Sequence, residues 1–244
     1  MPVPNPSTPA RINLGHVGPG MPTKAWLDFA FAHAQAKDAV EIAWDAKQHA
    51  LELNQHNIKT TILNTPVHDR HHYVMRPDLG CILEHTSEKL IKPADTNVEG
   101  ISIVVSNGLS SLAIYNHATP FLRMLLEHMH HEGLSLNHDN VWLVPNSRVA
   151  IIDAIGDIEK PTLGVVIIGE RPGLSSFDSL GVYLTYKPRK GRVNAERNCI
   201  SNIRPPVGLS YEAACFELIM LMKESLHKKL SGVKLKIKAL KQPG

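Results

Sequence analysis

The sequence predicts an α/β fold, in which a Rossmann-like, mostly parallel sheet flanked by helices follows an N-terminal, mainly helical region. From residue 101 onward, β-branched apolar runs such as 101–105 and 163–168 alternate with segments of helical periodicity, a pattern typical of a parallel sheet with crossover helices. Before residue 100, segments of helix and loop character dominate. We therefore expect an arm and helical region over 1–99 and a Rossmann-like domain over 100–244.

In the N-terminal region, a helix is predicted to begin near Thr23. Leu27, Phe31 and Ala34 recur at helical spacing and form its expected apolar stripe. Residues 67–80 predict a loop, because Pro77 disfavours helical geometry at the residue before it. A second helix is expected over 81–91.

In the C-terminal region, the apolar runs predict a series of strands and the remaining periodic segments predict helices. Thr119-Pro120 has the composition of a helix start, with a capping side chain followed by proline. The final helix is expected from Ser210 to about residue 230, with Gly232 ending it. The predicted strands are 101–105, 141–144, 163–168, 181–186 and 198–203, and a strand or helix begins at 149–152.

Composition sets broad limits on function. Hydrophobic residues make up 43% of the 244 residues and charged residues 20%, which is ordinary for a globular protein with one substantial core. The net charge of +3 gives little support to a nucleic-acid partner. No apolar run approaches the roughly 18 residues that a bilayer span needs. Three cysteines without a CxxC pair are typical of a reducing compartment, so we expect a cytoplasmic protein.

The segment Gly169-Glu170-Arg171-Pro172-Gly173 ends the most apolar predicted strand. Ligands of α/β sheets bind at the carboxyl ends of strands, so Glu170 is a candidate hydrogen-bond acceptor for a ligand. The alternative is a Glu170–Arg171 pair that only caps the turn. A further candidate is the segment 107–111, whose backbone amides either face an anion or simply close a tight turn.

Cysteine and histidine chemistry gives weaker signals. A nucleophilic Cys199 would need a base, and no histidine lies between residues 139 and 226; a small hydrophobic role is the alternative. The histidines of 68–72 and 128–131 lack the spacing of known metal motifs, and solvated helix ends explain the second group better. We predict no metal site and no catalytic residue in this chain.

Several long motifs resemble one known family, the light (small) subunits of ethanolamine ammonia-lyase. The resemblance runs over most of the chain, and its most specific blocks are IGERPGL and ERNCISNI. The other blocks that carry it are PTKAWLDFAFAHAQAKDAV, RPDLG, IVVSNGLSSLAI, RVAIIDAIGDI and LSGVKLK.

The resemblance implies a subunit of an adenosylcobalamin-dependent carbon–nitrogen lyase that converts ethanolamine to acetaldehyde and ammonia by radical chemistry. It implies a TIM-barrel large subunit that binds ethanolamine, a higher-order hetero-oligomer, and a corrin held where the subunits meet. The family's cofactor-contacting positions fall on Val149, Glu170 and Cys199.

Two features depart from the family pattern. The family's usual aspartate in its DGLS motif is Asn107 here, which weakens a charged role for this position. Ten residues precede Arg11, fewer than in relatives that are packaged in bacterial microcompartments, so we do not expect packaging. Two alternatives remain open: a stand-alone Rossmann-like enzyme that uses Glu170 or Cys199 in catalysis, and a non-catalytic scaffold without cofactor contact.

Overall fold

A computed structural model describes residues 14–94 and 99–235 of the chain. The residues before 100 form four helices and one short strand, and the remaining strands and helices follow. In order, the elements are α1 (Thr23–Glu41), α2 (Ala46–Gln55), β1 (Thr60–Ile62), α3 (Arg70–Met75), α4 (His85–Glu88), β2 (Ile101–Ser106), α5 (Ser111–Ala113), α6 (Thr119–His131), β3 (Leu136–Leu143), α7 (Ile151–Glu159), β4 (Leu163–Gly169), β5 (Leu180–Tyr186), β6 (Arg197–Ile203) and α8 (Tyr211–Lys228).

The strands form one six-stranded mixed sheet in the order β1-β3-β2-β4-β5-β6. Strands β1 to β4 pair in parallel, and β5 and β6 continue the sheet antiparallel. The predicted α/β class is confirmed. Strand β1 was not predicted, because three residues carry too short a pattern, and it joins a sheet whose other strands lie beyond residue 100. The division at residue 99 stays a prediction.

Both faces of the central strands β2 and β4 are buried. Successive side chains of a strand point to opposite faces, and in β2 Ile103 packs into the cluster with α6 and α8, whereas Val104 packs into the cluster with α7. Strand β4 divides in the same way and is buried at every position. This two-sided burial explains why these strands appear in the sequence as continuous apolar runs.

The segment after β2 is helical without interruption from Ser111 to His131. A π-helical turn, Ile114–Ala118, joins α5 to α6, and the Ser110 hydroxyl caps the helix by accepting from the Ala113 N–H at 3.2 Å. Helix α6 begins at Thr119 as predicted, but Thr119 does not cap it, because the π turn leads into α6 without a break. Pro120 has no N–H for the usual helical bond and crowds the preceding turn, which the wider π turn accommodates.

Helix α1 begins at Thr23 as predicted, but its apolar stripe is not core. Leu27 and Phe31 are 54% and 66% exposed, while Ala32 and Ala39 face the rest of the chain. The sequence pattern identified the apolar stripe, and the structure shows that the stripe lies on the exposed side of the helix.

Three other predicted boundaries are corrected. Residues 67–80 contain α3, whose first turn is capped when the Asp69 carboxylate accepts from the His72 N–H at 2.8 Å. The helix expected over 81–91 is reduced to the single turn α4. Helix α8 ends at Lys228, where Lys229 takes a left-handed conformation with φ 57°, before Gly232. The predicted proline-rich arm, residues 1–10, lies outside the described residues.

No helix in the described parts of the chain is long and apolar enough to cross a membrane.

Gly108 sits where the turn after β2 meets the end of β4. Its φ is +47°, and a Cβ added there would lie 2.4 Å from the Gly169 carbonyl oxygen. The Gly108→Ala variant should lose at least ~2 kcal/mol of unfolding free energy, because it adds left-handed strain to overpacking. Urea unfolding followed by tryptophan fluorescence measures this loss.

Gly133→Ala is the matched control. Gly133 also has a positive φ, +69°, but an added Cβ would meet nothing within 4 Å. The Gly133→Ala variant should lose only about 1 kcal/mol of unfolding free energy. Equal losses in the two variants would show that the close contact at Gly108 has no energetic importance.

Candidate functional site

A cleft of about 410 Å³ opens at the carboxyl ends of the parallel strands. Strand β2 lies between β3 and β4, and α6 and α7 cover opposite faces of the sheet. The connection after β2 and the connection after β4 therefore lead in opposite directions. Such a place in a sheet is a topological switch point, and α/β sheets bind ligands there. The cleft is lined by Tyr73, Gly108, Leu109, Arg148, Val149, Ile168, Gly169, Glu170, Arg171 and Tyr183.

Glu170 follows β4 directly and is held by two hydrogen bonds on one carboxylate oxygen. Its Oε2 accepts from the Ser179 hydroxyl at 2.7 Å and from the Asn202 N–H at 3.1 Å. Arg171 is exposed, and no hydrogen bond or ion pair joins it to Glu170 in the described structure. The capping alternative, a Glu170–Arg171 pair, is therefore not observed.

Val149 lies in the connection between β3 and α7. It is half-buried and packs against the apolar cluster that contains Ile152 and Ile168. Its side chain forms an apolar part of the cleft wall.

Cys199 lies on β6 outside the cleft, and it is exposed. Its partner across the sheet is Tyr183, which does line the cleft and is hydrogen-bonded to the thiol. Partial burial of the sulfur, with the nearby Glu170 and Glu217 carboxylates, raises the pKa of the Cys199 thiol. A nucleophilic cysteine needs the opposite shift, so the structure gives no support to nucleophilic catalysis.

Arg148 and Tyr73 line the cleft although the sequence did not mark them. The Tyr73 ring is buried, its hydroxyl donates to the Ser147 carbonyl at 2.9 Å, and burial raises its pKa to about 12. The Arg148 guanidinium lies 4.3 Å from the centre of that ring. Arg148 could have been suspected as the neighbour of Val149, but Tyr73 stood in a predicted loop and carried no signal.

The floor of the cleft is fixed by Asn107. Its side-chain amide donates to the Ser111 hydroxyl at 3.2 Å and to Asn146 Oδ1 at 3.3 Å, and its Oδ1 accepts from the Asn146 N–H at 2.7 Å. Asn107 thus joins the turns after β2 and β3 as a neutral donor and acceptor, a role that its amide performs without a charge.

The backbone amides of the same turn are used internally. The Leu109 N–H donates to the Gly169 carbonyl at 3.0 Å, and the Ser110 N–H donates to the Asn107 carbonyl at 3.0 Å. Of the two readings of segment 107–111, the tight turn is the one observed.

The loop from Glu170 to Ser179 is anchored by Asp178. Its carboxylate pairs with Arg204, accepts from the Asn116 amide at 2.9 Å, and lies 3.5 Å from His117 Nε2. Burial alone would raise the pKa of Asp178, but the contacts with His117, Asn116 and Arg204 outweigh it and hold the pKa at about 2.

The histidine groups have the solvated positions expected of them. His128, His130 and His131 are exposed at the end of α6. No group of three or more histidine, cysteine, aspartate or glutamate side chains placed to hold a metal ion occurs within residues 14–94 and 99–235.

The fold and cleft define an α/β domain with an open cleft at the switch point of its sheet. Residues 5–236 match the family model of the ethanolamine ammonia-lyase light chain (EutC). The chain therefore belongs to the family of ethanolamine ammonia-lyase small subunits.

Curated relatives agree with this assignment. The chain is 46% identical over 235 residues to the ethanolamine ammonia-lyase small subunit of Pseudomonas fluorescens, a match covering 95% of this chain and 84% of the relative. The small subunits of Pseudomonas aeruginosa and Pseudomonas putida are also 46% identical over 95% of this chain and 85% of their own length.

The Asp178→Asn variant should be less stable at neutral pH by about 2 kcal/mol, because it removes a carboxylate whose pKa is lowered by folding. Because its pKa is lowered in the fold, the Asp178 carboxylate stabilises the fold fully at pH values above its unfolded pKa near 4. This contribution disappears as the pH falls through about 2. The difference in unfolding free energy between wild type and variant should therefore fall to about half of its neutral-pH value by pH 3. Urea unfolding at a series of pH values measures it.

Asp157→Asn is the control, since Asp157 forms a surface pair with Lys190 at 3.7 Å and accepts one exposed hydrogen bond, from the Lys190 N–H at 3.1 Å. It should change stability by less than ~1 kcal/mol. A D178N difference that stayed constant down to pH 3 would contradict the assigned role of the Asp178 carboxylate.

Proposed function

We propose that this chain is the small subunit of an adenosylcobalamin-dependent ethanolamine ammonia-lyase and forms one wall of its cofactor site. The holoenzyme would convert ethanolamine to acetaldehyde and ammonia, with ethanolamine bound by a TIM-barrel large subunit. One observation carries the proposal: Val149 and Glu170, two of the three cofactor positions implied by the family, line one cleft, and Tyr183, the cross-strand partner of the third position, lines it too.

The chemistry of the cleft fits the periphery of a corrin. Corrin side chains end in amides. Glu170 Oε1 can accept hydrogen bonds from their N–H groups, and a guanidinium can donate hydrogen bonds to their carbonyls. Val149, Ile168 and Tyr183 supply apolar surface. A volume of about 410 Å³ lies near the lower end for small-molecule sites. A cobalamin is much larger, so the large subunit must enclose the rest.

The residues of this chain would bind and orient the cofactor and exclude water. When bound, adenosylcobalamin supplies the radical chemistry through homolysis of its cobalt–carbon bond. Neither Cys199 nor Tyr183 is suited to proton transfer at neutral pH, because the pKa of each is raised, first by burial. This supports a binding role without a catalytic acid or base from this chain.

The rival reading, a stand-alone enzyme with Glu170 or Cys199 in catalysis, fits the geometry less well. The Glu170 carboxylate is tied to Ser179 and Asn202, and Cys199 lies outside the cleft. The scaffold alternative leaves the open cleft without a purpose. The three unpaired cysteines fit a complex in the cytoplasm.

Helix α1 is the surface that we assign to the large subunit. Trp26 and Phe31 are 57% and 66% exposed, and Leu27 and Phe29 are exposed with them. Exposed apolar patches of this kind mark interfaces. The helix end is tied to the cleft, because Arg70 donates to the Val40 carbonyl of α1 and to the Gly108 carbonyl. The light chain of an enzyme has a larger partner subunit. Helix α1 offers that subunit an apolar surface that is connected to the cofactor site.

The complex with the large subunit should release ammonia from ethanolamine only when adenosylcobalamin is added. Glu170→Ala should weaken cobalamin affinity roughly 10-fold, through loss of a charged acceptor, with kcat at saturating cofactor near wild type. Cys199→Ala should change affinity only slightly. Cofactor titrations of the ammonia assay separate the two constants.

Ser179→Ala is the control for Glu170→Ala, since it removes one hydrogen bond to the carboxylate, at 2.7 Å, and leaves the carboxylate itself present. It should weaken affinity less than Glu170→Ala does. The stand-alone enzyme predicts instead that Cys199→Ala or Glu170→Ala lowers kcat by orders of magnitude, and such a result would refute the binding role.

A Trp26→Ser/Phe31→Ser double variant should bind the large subunit at least ~10-fold more weakly, because buried aromatic anchors dominate interfaces. Its fold should be retained, since both side chains are exposed in the isolated chain. The variant should also aggregate less than wild type when expressed alone. Co-purification and size-exclusion chromatography measure both effects.

Val233→Ser is the control, an apolar side chain that is 75% exposed away from α1. It should co-purify as wild type does. If the double variant kept its affinity for the large subunit but lost self-association, α1 would be a contact between copies of this chain and the assignment would be wrong.

A further inference from the structure

We propose that Arg148 is a further cofactor-binding residue, whose guanidinium donates hydrogen bonds to an oxygen acceptor of the bound cobalamin. The acceptor is a corrin amide carbonyl or the phosphate of the nucleotide loop, and both are oxygen acceptors that suit a guanidinium. The inference rests on the proposed function and adds a polar anchor to the wall formed by Val149 and Glu170.

The Arg148 side chain is held in place by neighbours on two sides. Its backbone N–H donates to the Gly80 carbonyl at 2.8 Å, and a Cβ added to Gly80 would lie 3.1 Å from Arg148 Cγ. Its guanidinium lies 4.3 Å from the centre of the Tyr73 ring, a cation–π distance. The side chain is therefore positioned before any ligand arrives, which lowers the entropy cost of binding.

The guanidinium has no hydrogen-bond acceptor among the described residues, although its Nε is buried. Leaving a buried donor unpaired costs about 1–3 kcal/mol. Arg70 also has a buried nitrogen without a partner, Nη2, and lies 4.9 Å from the same ring, but its Nε and Nη1 donate to the Val40 and Gly108 carbonyls. Arg70 thus fastens the fold, whereas Arg148 lines the cleft with its donors unused.

The charges of the cleft select an acceptor with a negative or strongly polar oxygen. Arg148 and Arg171 line the cleft with a single carboxylate, Glu170, which already accepts from Ser179 and Asn202. An excess of cationic donors is left over. Glu170 Oε1 and the Arg148 guanidinium together form an acceptor and donor pair, the complement of an amide group.

The test is corrinoid binding to the full complex with the large subunit, measured by equilibrium dialysis without turnover. Arg148→Met should weaken cyanocobalamin binding roughly 10- to 100-fold, the range expected when a charged hydrogen bond is lost. Arg123→Met removes the same charge from an exposed position on α6, outside the cleft, and should stay close to wild type. Thermal melting without corrinoid checks that each variant is folded.

Cyanocobinamide, which lacks the nucleotide phosphate, identifies the acceptor. If Arg148 binds the phosphate, Arg148→Met weakens cyanocobalamin but leaves cyanocobinamide unchanged. If it binds a corrin amide, both weaken equally. Either result supports the proposal.

Wild-type affinity of Arg148→Met for both corrinoids overturns the proposal, and so does an equal loss in Arg123→Met, which would indicate a general charge effect. Should Arg148→Met not fold, Arg148→Lys keeps the charge and the stem but not the planar fork of donors. Wild-type affinity for both corrinoids in Arg148→Lys is then the overturning result. A wild-type complex that binds neither corrinoid refutes the proposed function itself and this inference with it.

Discussion

The structure depends on a backbone contact between the turn after β2 and the end of β4. The Leu109 N–H donates to the Gly169 carbonyl at 3.0 Å, and a Cβ added to Gly169 would lie 2.1 Å from the Ser110 carbonyl oxygen. Only glycine permits two backbones to approach so closely. Because Glu170 follows Gly169 directly, this contact fixes where the carboxylate leaves the sheet, and therefore where one side of the cleft lies.

The other sides of the cleft are joined to this contact by polar side chains, each from a different connection. Asn107 joins the turns after β2 and β3, Arg70 joins α1 to Gly108, and Asp178 holds the loop that returns to β5. Each tie satisfies polar groups that would be costly to bury unpaired. The Arg148 guanidinium makes no such tie among the described residues, and its Nε is buried without a partner.

Sequence patterns predicted what local periodicity and burial dictate. The strands 163–168 and 181–186 were placed within a residue or two, because two-sided burial leaves a continuous apolar run. The apolar stripe of α1 was found, but periodicity cannot tell whether such a stripe faces a core or the surface. Glu170 could be marked by its position after a strand. Tyr73 could not, because its place in the cleft depends on Ser147 and Arg148, which are distant in sequence.

Two features of the described chain raise the free energy of its folded state. Trp26 and Phe31 expose aromatic surface, and the Arg148 Nε is one of several buried polar atoms without a partner. Arg70 connects the two regions, because it binds the Val40 carbonyl of α1 and the Gly108 carbonyl at the cleft. A shift of α1 would therefore act on the turn at Gly108 through a single side chain.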